Sequence, residues 1–142
     1  MKDGKFFLDT NILVYSFDDR HILKQKCAQQ LIEEALESGC GVISFQVIQE
    51  FLNLSSKKFL VPLSTKEQRL YLQKILIPLC EIYSEPSLYD MAIDIRERYH
   101  FSFYDSLIIS SALEARCKTL YSEDLQHGQQ ILDLKVVNPF KT

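Results

Sequence analysis

The chain has 142 residues, of which 46% are hydrophobic, 11% aromatic and 25% charged, with a net charge of −3. That length and apolar share predict one globular domain, residues 1–142, with a real buried core. The charge excludes a strongly basic chain that grips nucleic acid indiscriminately and leaves room for local basic patches.

Lys5 to Asp9 reads as the first strand, because Phe6-Phe7-Leu8 is an apolar run buried on both faces, the pattern of a parallel sheet under helices. Asp9 stands where that strand ends, and Asn11 follows on the turn. A short helix is predicted near Asn11 to Phe17, broken by Asp18-Asp19-Arg20. An amphipathic helix follows from Leu23 to Ser38, with Leu23, Cys27, Leu31 and Ala35 at i, i+4 spacing and Gly39 as C-cap. Gly41 to Ser44 is strand two. Ser44 is placed to cap a helix from Gln46 to Lys57, whose buried face is Val47, Ile48, Phe51 and Leu54.

Leu60 to Leu63 is a connector. Ser64 with Glu67 forms a capping-box pattern for a helix from Thr65 to Ile77, which Pro78 should end. Leu79 to Tyr83 is strand three. Ser87 and Asp90 can cap a helix carrying Leu88, Met91, Ile95 and Tyr99. Ser102 to Asp105 opens an apolar helix with Leu107, Ile108, Ser111 and Ala112. Thr119 to Tyr121 is strand four, followed by Ser122-Glu123-Asp124, and Lys135 to Val137 is a last strand before Asn138-Pro139. Alternating strands and helices predict an α/β fold, a three-layer α/β/α domain on a four- to five-stranded, mostly parallel sheet. If the winding reverses after strand three, strand one is central and the crevice lies between strands one and four.

The cysteines, Cys27, Cys40, Cys80 and Cys117, include no C-x-x-C pair and read as reduced core residues of a cytoplasmic protein. His21, His100 and His127 are far apart, so the sequence offers no zinc pattern. No run approaches transmembrane length, which argues against a membrane role.

Four acids carry the chemistry. Each has an ordinary explanation alone: Asp9 as a helix cap, Glu50 as a helix surface acid, Asp105 as part of a Ser102-x-x-Asp105 capping box, Asp124 as a turn residue, with Glu123 ranked below it. Together Asp9, Asp105 and Asp124 converge on one rim of the sheet. Carboxylates gathered in one cleft repel unless a cation neutralises them, and an all-oxygen site suits Mg²⁺ or Mn²⁺. Such a site suits phosphodiester hydrolysis.

The stretches Phe7-Leu8-Asp9-Thr10-Asn11, Ser44 to Phe51, Phe103 to Ile108, Tyr121 to Leu125 and Asn138-Pro139-Phe140 resemble, in combination, a PIN domain and specifically the VapC-type ribonuclease toxins of bacterial toxin–antitoxin pairs. The resemblance runs over essentially the whole chain. It implies a metal-dependent endoribonuclease in which Asp9, Glu50, Asp105 and Asp124 are the metal-binding and catalytic acids, with Asn11 and Ser122 supporting them. Ser122 stands where the family often has Thr, which keeps the hydroxyl. It also implies a protein antitoxin laid into an apolar groove near the first helices, with a basic side chain entering the acidic cleft.

Other classes fit less well. A haloacid dehalogenase-type phosphatase needs an Asp where Asn11 stands, and a receiver domain needs an Asp and a Lys where Tyr83-Ser84 and Asn138-Pro139 stand. Gly41 alone is not a dinucleotide fingerprint. A non-catalytic module whose acids hold a structural ion remains open. RNA contacts are expected from Lys57 and Lys58, or from Arg20, Lys24 and Lys26. A homodimer is expected, partly from the resemblance and partly from the apolar Ile75, Ile77 and Leu79 and the Tyr-rich segments.

Overall fold

The computed structural model describes residues 4–141. Among them, six strands form one sheet: β1 (Lys5–Leu8), β2 (Gly41–Ser44), β3 (Cys80–Ile82), β4 (Cys117–Tyr121), β5 (Gln130–Ile131) and β6 (Leu134–Val137). Their order is β3-β2-β1-β4-β6-β5, and every pair is parallel except β5 with β6. β1 therefore lies inside the sheet, paired with β2 on one edge and β4 on the other, as the apolar run predicts. Phe7 and Leu8 are fully buried.

The sheet has one strand more than the four or five expected. β5 is only two residues long and folds back on β6 through Leu132, whose φ is 52°. Two residues are too few to show a periodicity, so the sequence carries no strand signal there.

The helices are α1 (Thr10–Tyr15), α2 (Ile22–Ser38), α3 (Phe45–Lys57), α4 (Thr65–Tyr71), α5 (Ile77–Leu79), α6 (Pro86–Tyr99) and α7 (Phe103–Glu114). From β1 to β3 the chain winds towards one edge, and after β3 it returns past β1 to place β4 on the other side. Right-handed crossovers then put helices on both faces of the sheet, with the reversal at β1 and β4. Gly39 caps α2 in the left-handed conformation, with φ 71°, and Ser64 with Glu67 closes a full capping box on α4. α6 packs on α7, and α1 packs on both α2 and α3.

Three local expectations are corrected. Pro78 does not end the helix at Ile77. α4 runs through a π-helical segment, Leu72–Leu76, into α5, and the Ile77 amide reaches back to the Leu72 carbonyl. The wider turn accommodates a proline that has no N–H to continue an ordinary ladder. The extra turn also carries Leu79 into the core, at 3% exposure, so it is not interface surface, whereas Ile77 is half exposed. Ser44 occupies the cap position of α3 without making a cap bond, and its buried hydroxyl has no hydrogen-bond partner among the described residues. α6 starts earlier than Ser87, at Pro86, whose fixed φ suits the first helical position, with Glu85 before it.

Phe17, Phe51, Phe59 and Tyr71 form an aromatic cluster, with Phe51 stacked on Tyr71 at 4.6 Å. Phe51 is wholly buried there, which sets the roll of α3. The four cysteines are free; Cys117 is buried and the others are half-buried. Among the described residues no helix is long and apolar enough to cross a membrane.

Gly41 is where α2 comes closest to the sheet. A Cβ there would lie 2.1 Å from the Ala35 Cβ and 3.3 Å from the Phe6 ring. Gly41→Ala is expected to destabilise the fold by about 1–3 kcal/mol through overpacking. Urea unfolding measures it, and an unchanged midpoint would contradict the close approach.

Candidate active site

Asp9 leaves β1 and becomes the N-cap of α1. Its Oδ1 accepts from the Thr10 amide at 2.8 Å, and its Oδ2 accepts from Ser122 Oγ at 2.7 Å. The Asp9 amide donates to the Tyr121 carbonyl at 3.0 Å, which locks the end of β1 to the end of β4. One carboxylate oxygen of Asp9 therefore caps α1, and the other is held by the turn after β4.

Ser122 is fully buried, and its Oγ also accepts from the Asp124 amide at 3.2 Å. Asn11 Nδ2 donates to Asp124 Oδ2 at 3.2 Å and lies 3.5 Å from Ser122 Oγ, while Asn11 Oδ1 accepts from the Glu123 amide at 3.3 Å. The two supporting polar residues thus join α1 to the turn after β4.

Glu50 projects from α3 beside the anchored Phe51. Its Oε1 accepts from the Thr10 hydroxyl, and its Oε2 accepts from Gln46 Nε2 at 3.2 Å. Asp105 lies in the first turn of α7. Ser102 Oγ accepts from its amide at 3.1 Å, so half of a capping box forms and the carboxyl stays on the cleft side, where it lines the same cavity.

All four acids border one open cleft of about 400 Å³, with Thr10, Asn11, Gln46, Asn53 and Tyr104 as further polar lining and Val14, Leu54 and Ile108 as apolar lining. Among the described residues no lysine, arginine or histidine lines it. The side chains are not drawn to a single point, however. Among the described residues no three His, Cys, Asp or Glu side chains close into a group that would hold a metal ion. Each of Asp9, Glu50 and Asp124 is instead held by neutral donors, and the like charges repel one another.

Thr10, Gln46, Asn53 and Tyr104 escaped the sequence reading. Gln46 had a signal, because it stands four residues before Glu50 on one helix face. Its Nε2 also donates to the Tyr104 carbonyl at 3.2 Å, tying α3 to the start of α7. Tyr104 is 67% exposed at the lip of the cleft. Of the basic candidates, Arg20 is paired with Asp18 and Lys24 with Glu123, while Lys57 and Lys58 are exposed at the end of α3.

The family model of the PIN domain matches residues 6–129. The chain belongs to the PIN-domain family. The PIN fold recurs, at low identity, in several solved structures. A toxin–antitoxin complex from Klebsiella pneumoniae is 19% identical with a TM-score of 0.67, covering 98% of this chain and 100% of that one. VapBC2 from Rickettsia felis, bound to a DNA fragment from its promoter, is 22% identical with a TM-score of 0.63, covering 92% and 96%. Mycobacterium tuberculosis VapC20, a sarcin–ricin loop cleaving toxin, is 15% identical with a TM-score of 0.59, covering 84% and 90%. No curated protein matches the chain.

The electrostatics of this PIN cleft are set by burial. Burial pushes the Asp9 carboxyl up to about 7; the Ser122 and Thr10 hydrogen bonds pull it down, and the charges of Glu50 and Asp124 push it up. Burial also raises Asp105, with Asp124 and Glu50 adding repulsion. The donor set is all oxygen, concentrated and short of positive charge, which in kind fits a hard divalent cation.

A carboxyl at about 3.8 in the unfolded chain and about 7 in the fold keeps its proton in the folded state alone between those values. Metal-free stability should therefore fall as pH rises from about 4 to about 7. Asp9→Asn in EDTA is expected to melt above the wild type at pH 8, with the gap closing as pH approaches 4. Melting curves across that range check it, and a gap that does not change with pH would contradict a buried, proton-retaining Asp9.

Proposed function

We propose that the chain is a single catalytic domain, a divalent-metal-dependent endoribonuclease acting as the toxin of a toxin–antitoxin pair in the cytoplasm. The observation that carries the reading is the cleft itself: four carboxylates on one rim of a PIN fold, lined by neutral donors and, among the described residues, by no cationic side chain. Asp9 and Asp105 are assigned the principal Mg²⁺ or Mn²⁺ ion, and Glu50 and Asp124 complete the set. When bound, that ion supplies a hydroxide at neutral pH and stabilises charge on the phosphate.

The chain's own residues do the positioning. Ser122 and the Thr10 amide hold both oxygens of Asp9, so the carboxylate has one orientation. Thr10 and Gln46 hold Glu50 on the far wall, where it can orient the attacking water and take its proton. Asn11 keeps Asp124 against α1. Exposed Lys26, Lys57 and Lys58 are the remaining candidates for phosphate contacts outside the cleft.

The partner reading rests on a groove of about 580 Å³ between α1, α2 and the loop after α3, where Leu60 and Val61 are 74% and 78% exposed. Val14 and Leu54 line both this groove and the acidic cleft, so the two adjoin. An amphipathic antitoxin segment seated in the groove would carry an arginine into the carboxylates, which a fork of donors matches. The Klebsiella neighbour is a toxin–antitoxin complex, which supports a protein partner of this kind.

The half-exposed Ile77, with exposed Leu70 in the same helical run, offers an apolar face to a second copy. Dimer mass at micromolar concentration supports that pairing, and a monomeric mass contradicts it.

Cleavage of RNA by the purified chain should require Mg²⁺ or Mn²⁺ and stop in EDTA. Asp9→Asn and Asp105→Asn should each slow it by about 100-fold or more, the scale of losing a main electrostatic group. Metal-independent cleavage, or full activity in either variant, would remove the assignment.

A further inference from the structure

Glu123 stands between Ser122 and Asp124 and yet does not line the acidic cleft. Its carboxylate goes to α1 and α2 instead. Oε1 accepts from the Tyr15 hydroxyl at 2.7 Å, and Oε2 accepts from Lys24 Nζ at 2.5 Å. Lys24 Nζ lies 3.4 Å from the Tyr15 hydroxyl, 4.8 Å from the Tyr15 ring centre and 5.6 Å from that of Phe140. The Tyr15 and Phe140 rings meet edge to face at 4.9 Å. The α1–α2 segment and the turn after β4, distant in sequence, therefore meet on one carboxylate, and Phe140 after β6 packs against the two residues that hold it.

An ion pair this exposed adds little stability in water. Its consequence is geometric. The turn 122–124 belongs to no helix or strand, and its two ends carry the hydroxyl that holds Asp9 and the carboxylate that Asn11 holds. Asn11 grips the turn on the cleft side through the Glu123 amide, and Lys24 with Tyr15 grips it through the Glu123 side chain. Ser122 is also fixed by full burial and by its amide, which donates to the Val137 carbonyl at 3.1 Å, so the two grips on Glu123 bear chiefly on where the turn carries Asp124.

We propose that Glu123 is a positioning residue. Clamped by Lys24 and Tyr15, it holds the Ser122–Asp124 turn so that Asp124 and the Ser122-bound Asp9 face one metal ion. The inference rests on the metal-dependent reading above and adds residues that act on the site from outside the cleft. Partners behind metal ligands typically alter affinity by about 10–100-fold when removed.

The test is Mn²⁺ binding to the full chain, read by the electron paramagnetic resonance of free Mn²⁺, with the melting temperature in EDTA as the fold control. Lys24→Met separates positioning from plain electrostatics by sign. Removing a cation close to clustered carboxylates strengthens Mn²⁺ binding if only charge matters, and weakens it if the clamp matters. Tyr15→Phe repeats the measurement with no change of charge. The expected result is a dissociation constant about 10-fold higher in each variant, and a double variant little worse than either, because both act through one carboxylate. Tighter or unchanged binding in Lys24→Met overturns the proposal, as does a double variant whose loss is the product of the two. A wild type that binds no Mn²⁺ removes the metal-dependent reading and this inference with it; a wild type that binds beside unmoved variants removes this inference alone.

Discussion

Asp9 lies at the end of the central strand with 8% of its surface exposed, and a carboxylate withdrawn from water is stable only with compensating partners. The partners present are hydrogen-bond donors without charge, the Thr10 amide and the Ser122 hydroxyl, while the nearby charged groups are the carboxylates of Glu50 and Asp124. The fold thus holds an acid in an environment that favours its neutral form. Three things relieve that: a proton, a metal ion, or a cationic side chain brought by a partner. In the reading proposed here these compete for one place. The metal makes the nuclease, and a partner's arginine silences it. On that reading the groove that adjoins the cleft at Val14 and Leu54 is where the second competitor would approach.

The rest of the structure serves to hold acids where they would not otherwise stay. β1 is fixed by pairing on both edges, so its end cannot move. α3 is rolled by Phe51 in the aromatic cluster, which leaves Glu50 on the cleft wall. α7 begins at the cleft and is buried along most of its length from Ser106 to Ala112, which keeps its first turn rigid. The turn after β4 is the least regular support, and it is also where Asn11 and the Lys24–Glu123–Tyr15 contacts concentrate.

Much of this was legible in the sequence because its signals are periodic or local. Phe6 to Leu8 announced a doubly buried strand, Gly39 a left-handed cap, and Ser64 with Glu67 a capping box. The carboxylates at element ends pointed to one rim. What was not legible depends on tertiary contact. β5 is too short to have a pattern. Pro78 looked like a stop because its effect on an ordinary helix is known, whereas the π-helical segment that absorbs it leaves no trace in residue type. Ser44 has the chemistry of a cap, but its buried hydroxyl makes no cap bond. Glu123 looked like a lesser version of Asp124, and only the fold shows that adjacent carboxylates turn to different partners.

The central claim is that charge repulsion and burial strain the metal-free cleft and that a divalent ion relieves it. Melting curves of the wild type and Asp105→Asn, each in EDTA and in Mg²⁺, test it most directly. Asp105→Asn is expected to melt higher than the wild type in EDTA, because a half-buried, repelled charge is gone, and the Mg²⁺-induced rise of the wild type is expected to shrink in the variant. An unchanged or lower melting temperature in EDTA, together with a Mg²⁺ response equal to that of the wild type, would make Asp105 a helix cap and no more, and would contradict the account.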